Sequence, residues 1–116
     1  MLQIAGDRIR YNLSWIENVG AFGRDPESKL KNLVAVSHHA NPWTSEVLRG
    51  LRAPGTGFPF LIMLGTMRYL KGKDFCVVYR RKPVYILQFR DERFKRWVIP
   101  ATDEHRELLQ SLGHVL

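Results

Sequence analysis

Between Arg8 and Trp15 the chain alternates polar and apolar residues without interruption: Arg, Ile, Arg, Tyr, Asn, Leu, Ser, Trp. A period of two belongs to extended backbone, where successive side chains point to opposite faces. The stretch therefore predicts a strand with Ile9, Tyr11, Leu13 and Trp15 on one face and water on the other. Ile16 to Gly23 fits a helical turn ended by its glycines, and the polar loop GRDPES follows. Leu30 to Ser37 is apolar and β-branched enough for a second strand. Asn41 and Pro42 then suit an N-cap and first helical position, with Trp43 and Val47 stacked at i and i+4 and Gly50 as a stop, which predicts a short helix over 42–49. The run GLRAPGTGFPF is crowded with glycine and proline and predicts an irregular, wrapped loop.

From Leu61 the pattern sharpens. Strand-like runs at 61–70, 74–80, 84–90 and 94–99 are separated by the short polar breaks KGK, RKP and DER, a spacing that predicts an antiparallel meander. Phe75, Val77 and Tyr79 share one face, as do Tyr85, Leu87 and Phe89, while Arg68, Arg80 and Arg90 are expected to meet water. Thr102 is placed to N-cap a terminal helix, Asp103 and Glu104 suit the positive end of its dipole, and Gly113 closes it. His105, Leu108, Leu109 and Leu112 fall at i, i+3, i+4 and i+7, an apolar stripe that must dock on something.

This order of elements, with an amphipathic first strand, a second strand, a four-strand meander and one terminal helix, resembles the pleckstrin-homology (PH) superfold of small bacterial PH-like proteins of uncharacterised function. The segments GLRAPGTGFP, LGTMRYLKGKDFCVVYRRKPVYILQF and RFKRWVIPATDEHRELLQSL are similar to one such family, and the likeness is fullest over residues 50–112. It implies a mainly β fold, a PH-like antiparallel barrel of six or seven strands closed by one C-terminal α-helix; an OB-like barrel is the alternative architecture. The shared motifs are structural, so the resemblance implies a fold and no reaction. Eukaryotic lipid-binding PH domains carry a basic signature across their first hairpin. GRDPESKLK mixes Arg24, Lys29 and Lys31 with Asp25 and Glu27 and does not match it.

At 116 residues, with 45% hydrophobic residues and 13 aromatic ones, the chain predicts a single domain, 1–116, that builds its core without disulfides or metals. The single cysteine, Cys76, has no partner within the chain and points to a reducing compartment, hence a cytoplasmic location. The first residues lack a secretory leader pattern, and the longest apolar run, Phe58 to Leu64, is too short to span a bilayer. The formal charge is +7 and uneven: residues 1–58 carry seven basic and five acidic side chains, residues 59–116 eleven and six. Attraction to polyanions follows physically from that balance.

Candidate chemistry is sparse. The glycine-rich stretch at Gly50, Arg52, Gly55, Thr56 and Gly57 offers backbone N–H groups to an anion but lacks the phosphate-loop order and a following helix. His38 and His39 are adjacent and point to opposite faces of a strand, and no zinc-ligand spacing is present. Cys76 reads as a buried thiol; Asp74, Asp91 and Glu92 read as solvated charges at strand tips. No catalytic residue, metal or cofactor is expected. The candidate anion contacts are Arg52, Lys71, Lys73, Arg80, Arg81 and Lys82, with Lys71 and Lys73 at one end of the sheet beside Arg93 and the Arg80–Lys82 cluster at the other. These features predict a non-enzymatic interaction domain that binds a protein or peptide; the alternative is an anion-binding module for nucleic acid or an acidic membrane surface.

Overall fold

The computed structural model describes residues 1–12, 25–44, 47–48, 51–58 and 62–114, with the backbone alone for 51–58. The fold is mainly β with one C-terminal helix. Its strands are β1 (Leu2–Ala5), β2 (Arg8–Tyr11), β3 (Glu27–Lys29), β4 (Leu33–His39), β5 (Leu51–Phe58), β6 (Ile62–Tyr69), β7 (Gly72–Tyr79), β8 (Val84–Phe89) and β9 (Arg96–Pro100), followed by α1 (Asp103–Ser111). A 3-10 turn at Leu30–Asn32 leads into β4.

The alternating segment at the N-terminus forms β2 with Ile9 and Tyr11 buried; Leu13 and Trp15 lie outside the described residues. It is paired on both sides. Gly6, at φ 64°, opens a two-residue turn back to β1, and part of the expected GRDPES loop is instead strand β3. Of the expected helix over 42–49, Pro42 to Thr44 and Val47–Leu48 are irregular or turn, with Leu48 N–H bonded to Thr44 O at 2.9 Å, and the rest lies outside the described residues. The helical turn expected at Ile16–Gly23 lies outside them entirely.

Two further expectations are corrected. The stretch expected as a loop at 50–60 runs as β5 over Leu51–Phe58, paired antiparallel with β6 and interrupted by a register shift between Arg52 and Gly55. Pro54 falls inside that shift, on a strand at the sheet edge, where a missing N–H is tolerated. The four C-terminal strands form where expected, but they are not a simple meander. The sheet order is β4-β8-β9-β7-β6-β5, with β9 inserted between β7 and β8 and parallel to β7. Among the described residues the strands make one open six-stranded sheet and one open three-stranded sheet, not one closed barrel of six or seven strands.

The insertion of β9 explains the burial pattern. Strands β7, β8 and β9 are interior and buried on both faces, so FCVV, VYIL and WVI are continuously apolar. On one face Leu64, Phe75, Val77, Tyr85, Leu87, Trp97 and Ile99 pack with Leu2, Ile9 and Tyr11 of the small sheet and Leu109 of α1. On the other, Met67, Cys76, Val78, Val84, Ile86 and Val98 are covered by Trp43, Val47 and Leu48. The terminal helix docks by the expected stripe: His105 and Leu109 are buried, Leu108 and Leu112 half-buried. Thr102 caps it, its Oγ1 accepting from His105 N–H at 3.2 Å.

Candidate functional site

The two ends of the large sheet carry different chemistry. At the end where β7 and β9 finish and β8 begins, a cleft of about 580 Å³ opens between the small sheet, the β7–β8 turn and the start of α1. Its apolar wall is Met1, Tyr11, Tyr79, Pro83, Val84 and Pro100; the polar groups at it are Asn12, Lys82, Thr102, Glu104 and His105. Lys82 and Glu104 are exposed and supply one charge of each sign. Asn12 Oδ1 is buried and has no hydrogen-bond partner among the described residues.

His105, the histidine at the cleft, is spent on structure. Its Nδ1 lies 2.6 Å from Pro100 O and therefore donates, while Nε2 accepts from Leu2 N–H at 3.2 Å. The ring thus ties α1 to the end of β9 and to β1 in one neutral tautomer. His38 stacks edge-on against Tyr85 at 5.5 Å, and His39 Nε2 meets Ser37 Oγ at 3.1 Å on the other side of β4. Among the described residues no three His, Cys, Asp or Glu side chains stand close enough to hold a metal.

The candidate anion contacts divide between the two ends as expected. Arg80, Arg81 and Lys82 are exposed on the β7–β8 turn, where Arg80 takes φ 48° and its carbonyl accepts from the Trp43 indole N–H. Of the three, Lys82 borders the cleft. Lys71 is exposed on the β6–β7 turn, and Arg52 sits on β5 opposite Met67, near that same end. Lys73 is half-buried, with its ammonium 5.3 Å from the Phe94 ring centroid, and Arg93 lies at the same distance from that ring. Burial first, then the charges of Arg93 and Arg68, push the Lys73 ammonium below the usual lysine range.

Asp74 overturns the expectation of a solvated tip charge. Its side chain is fully buried and accepts from Arg96 Nε at 3.1 Å, Arg96 Nη2 at 3.0 Å and Tyr69 O–H at 3.0 Å. Asp74 and Arg96 are register partners in the parallel β7–β9 pair, so the ion pair fastens the pairing that a meander lacks. Arg96 also donates to Val47 O at 2.8 Å and ties down the segment over the second core face. Glu92 is likewise engaged, accepting from Lys29 N–H and the Asn32 amide, whereas Asp91 is exposed. Cys76 is fully buried, as expected.

Comparison of the chain with protein-family models, curated proteins and solved structures returns no match in any of the three. No helix among the described residues is long and apolar enough to cross a membrane.

Proposed function

We propose that this chain is a non-enzymatic interaction domain of PH-like type that holds a peptide segment of a partner protein in the cleft beside α1. The observation that carries the reading is the composition of that cleft. An apolar wall of Tyr11, Tyr79, Pro83, Val84 and Pro100 is accompanied by a few polar groups, Asn12, Lys82, Thr102 and Glu104. Sites that bind by shape have this character: mostly apolar lining with a few placed polar groups, and volumes of about 300–1,000 Å³. An extended peptide would seat one or two apolar side chains against the wall, with its backbone near the polar groups of the cleft. Lys82 and Glu104 at the rim select polar flanking residues. A catalytic role finds less support, because the histidine at the cleft has both ring nitrogens committed to structural hydrogen bonds.

The test is selection from a random peptide library, followed by fluorescence-polarisation affinities for the selected peptide against the wild type, Tyr79→Ser and Pro83→Asp. Peptides with an apolar anchor, weakened by either change while the thermal melt stays cooperative, are the expected result. Selection of only acidic peptides indifferent to both changes would refute the assignment.

A further inference from the structure

The opposite end of the sheet carries a surface that the cleft does not explain. The β6–β7 turn has Leu70 at its apex, and its side chain is 100% exposed. Around it stand cations from two adjacent segments: Arg68 at the end of β6 and Lys71 on the turn, and Arg93 and Lys95 before β9, all exposed, with Lys73 half-buried between. The segments lie side by side, because Lys95 N–H donates to Lys73 O at 2.9 Å and the Lys95 stem covers Gly72. Arg68 and Lys73 are directly opposed across β6 and β7, a like-charge pairing that sheets ordinarily avoid. Asp74 is engaged by Arg96 and Tyr69, and Glu92 by Lys29 N–H and Asn32, while Asp91 is exposed.

We propose that this pole docks on an anionic bilayer, with Leu70 entering the interface and the collar of Lys71, Lys73, Arg93, Lys95 and Arg68 facing lipid phosphates. Charge complementarity points to it first, since a negative surface supplies counter-charge to the cations that concentrate here. The apex decides between lipid and nucleic acid. A single-stranded nucleic acid wants exposed aromatic faces on which bases stack. At this end Phe94 is 8% exposed beneath Lys73 and Arg93, and Tyr69 is half-buried with its hydroxyl on Asp74. What projects is an aliphatic side chain ringed by cations, the combination that an interfacial anchor uses. The inference does not depend on the peptide reading. The cleft lies at the far ends of β7 and β9, about 26 Å away along the eight residues of β7, and so faces away from the docked surface.

The experiment is co-sedimentation with vesicles of phosphatidylcholine alone or containing one third phosphatidylserine, at low and high salt, with single-stranded RNA binding measured in parallel. The expected result is binding to the anionic vesicles only, weakened by salt, about tenfold lower for Leu70→Ser and abolished by Lys71→Glu/Lys73→Glu. Arg80→Glu/Arg81→Glu at the other end should leave it unchanged. A polarity-sensitive fluorophore on Leu70→Cys should shift to the blue on anionic vesicles, a readout independent of affinity. Failure to sediment with phosphatidylserine vesicles would overturn the proposal. So would equal loss in the Arg80/Arg81 variant, or RNA binding tighter than vesicle binding through the same lysines.

Discussion

Replacing Asp74 by alanine tests the architecture at its least expected point. The carboxylate has no exposed surface and accepts three hydrogen bonds, two from Arg96 and one from Tyr69. Breaking a buried ion pair by removing one partner costs about 3–5 kcal/mol, mostly because the other charge stays in the protein. Arg96 keeps its bond to Val47 O and 12% of its side-chain surface, which places the expected loss near the lower end, about 3 kcal/mol. For a chain of 116 residues that is a fall in Tm of about 10–15 °C. Urea unfolding followed by tryptophan fluorescence, and thermal unfolding by circular dichroism, both read it. Asp74→Asn, which retains the volume and one acceptor, should lose less. Asp74→Met/Arg96→Leu should recover most of the loss, because neither charge is then stranded. The reasoning fails if Asp74→Ala stays within about 0.5 kcal/mol of wild type, the result expected of a solvated turn charge.

Deleting residues 102–116 removes Leu109 and the half-buried Leu108 and Leu112 from the main core, each worth about 1.5–3 kcal/mol when fully buried; the truncated chain should show no cooperative melt. Cys76→Ala should cost about 1–2 kcal/mol, and the native thiol should label with a thiol reagent only as fast as the protein opens. Lys73 is held below its unfolded-state pKa, so the unfolded chain binds more protons there and the wild type gains stability as pH rises through the lysine range. In Lys73→Gln that increment should vanish from a denaturant-midpoint series taken between neutral and alkaline pH. At neutral pH and low salt the variant should be slightly more stable than wild type.

What the sequence made legible was local, and what it hid was pairing. Period-two alternation marks β2, apolar runs between the short polar breaks mark β7, β8 and β9, and cap chemistry marks both ends of α1. Such local patterns are silent about which strand lies beside which. Consecutive strands are usually neighbours, and here the Arg80–Pro83 turn instead steps over the place that β9 fills. Asp74 reads as a tip charge because it directly follows the polar break KGK. The better signal was its parity, since Asp74, Cys76 and Val78 share a face and Arg96 shares one with Val98. Strand β5 was hidden because glycine and proline dominate it, and an edge strand with a register shift accommodates both. The cleft draws on Met1, Tyr11 and Asn12 together with residues from 79–84 and 100–105, segments far apart in the chain, so no local pattern announces it.

Recognition of a peptide through apolar contact in the cleft beside α1 has one decisive measurement. That measurement is the affinity of a library-selected peptide at low and high salt for the wild type, Tyr79→Ser and Lys71→Glu/Lys73→Glu. The expected affinity changes less than about twofold with salt, falls at least about tenfold in Tyr79→Ser, and is untouched by the two lysine changes at the other end of the sheet. An affinity that drops steeply with salt and disappears with Lys71 and Lys73, while Tyr79→Ser binds as well as wild type, would contradict it.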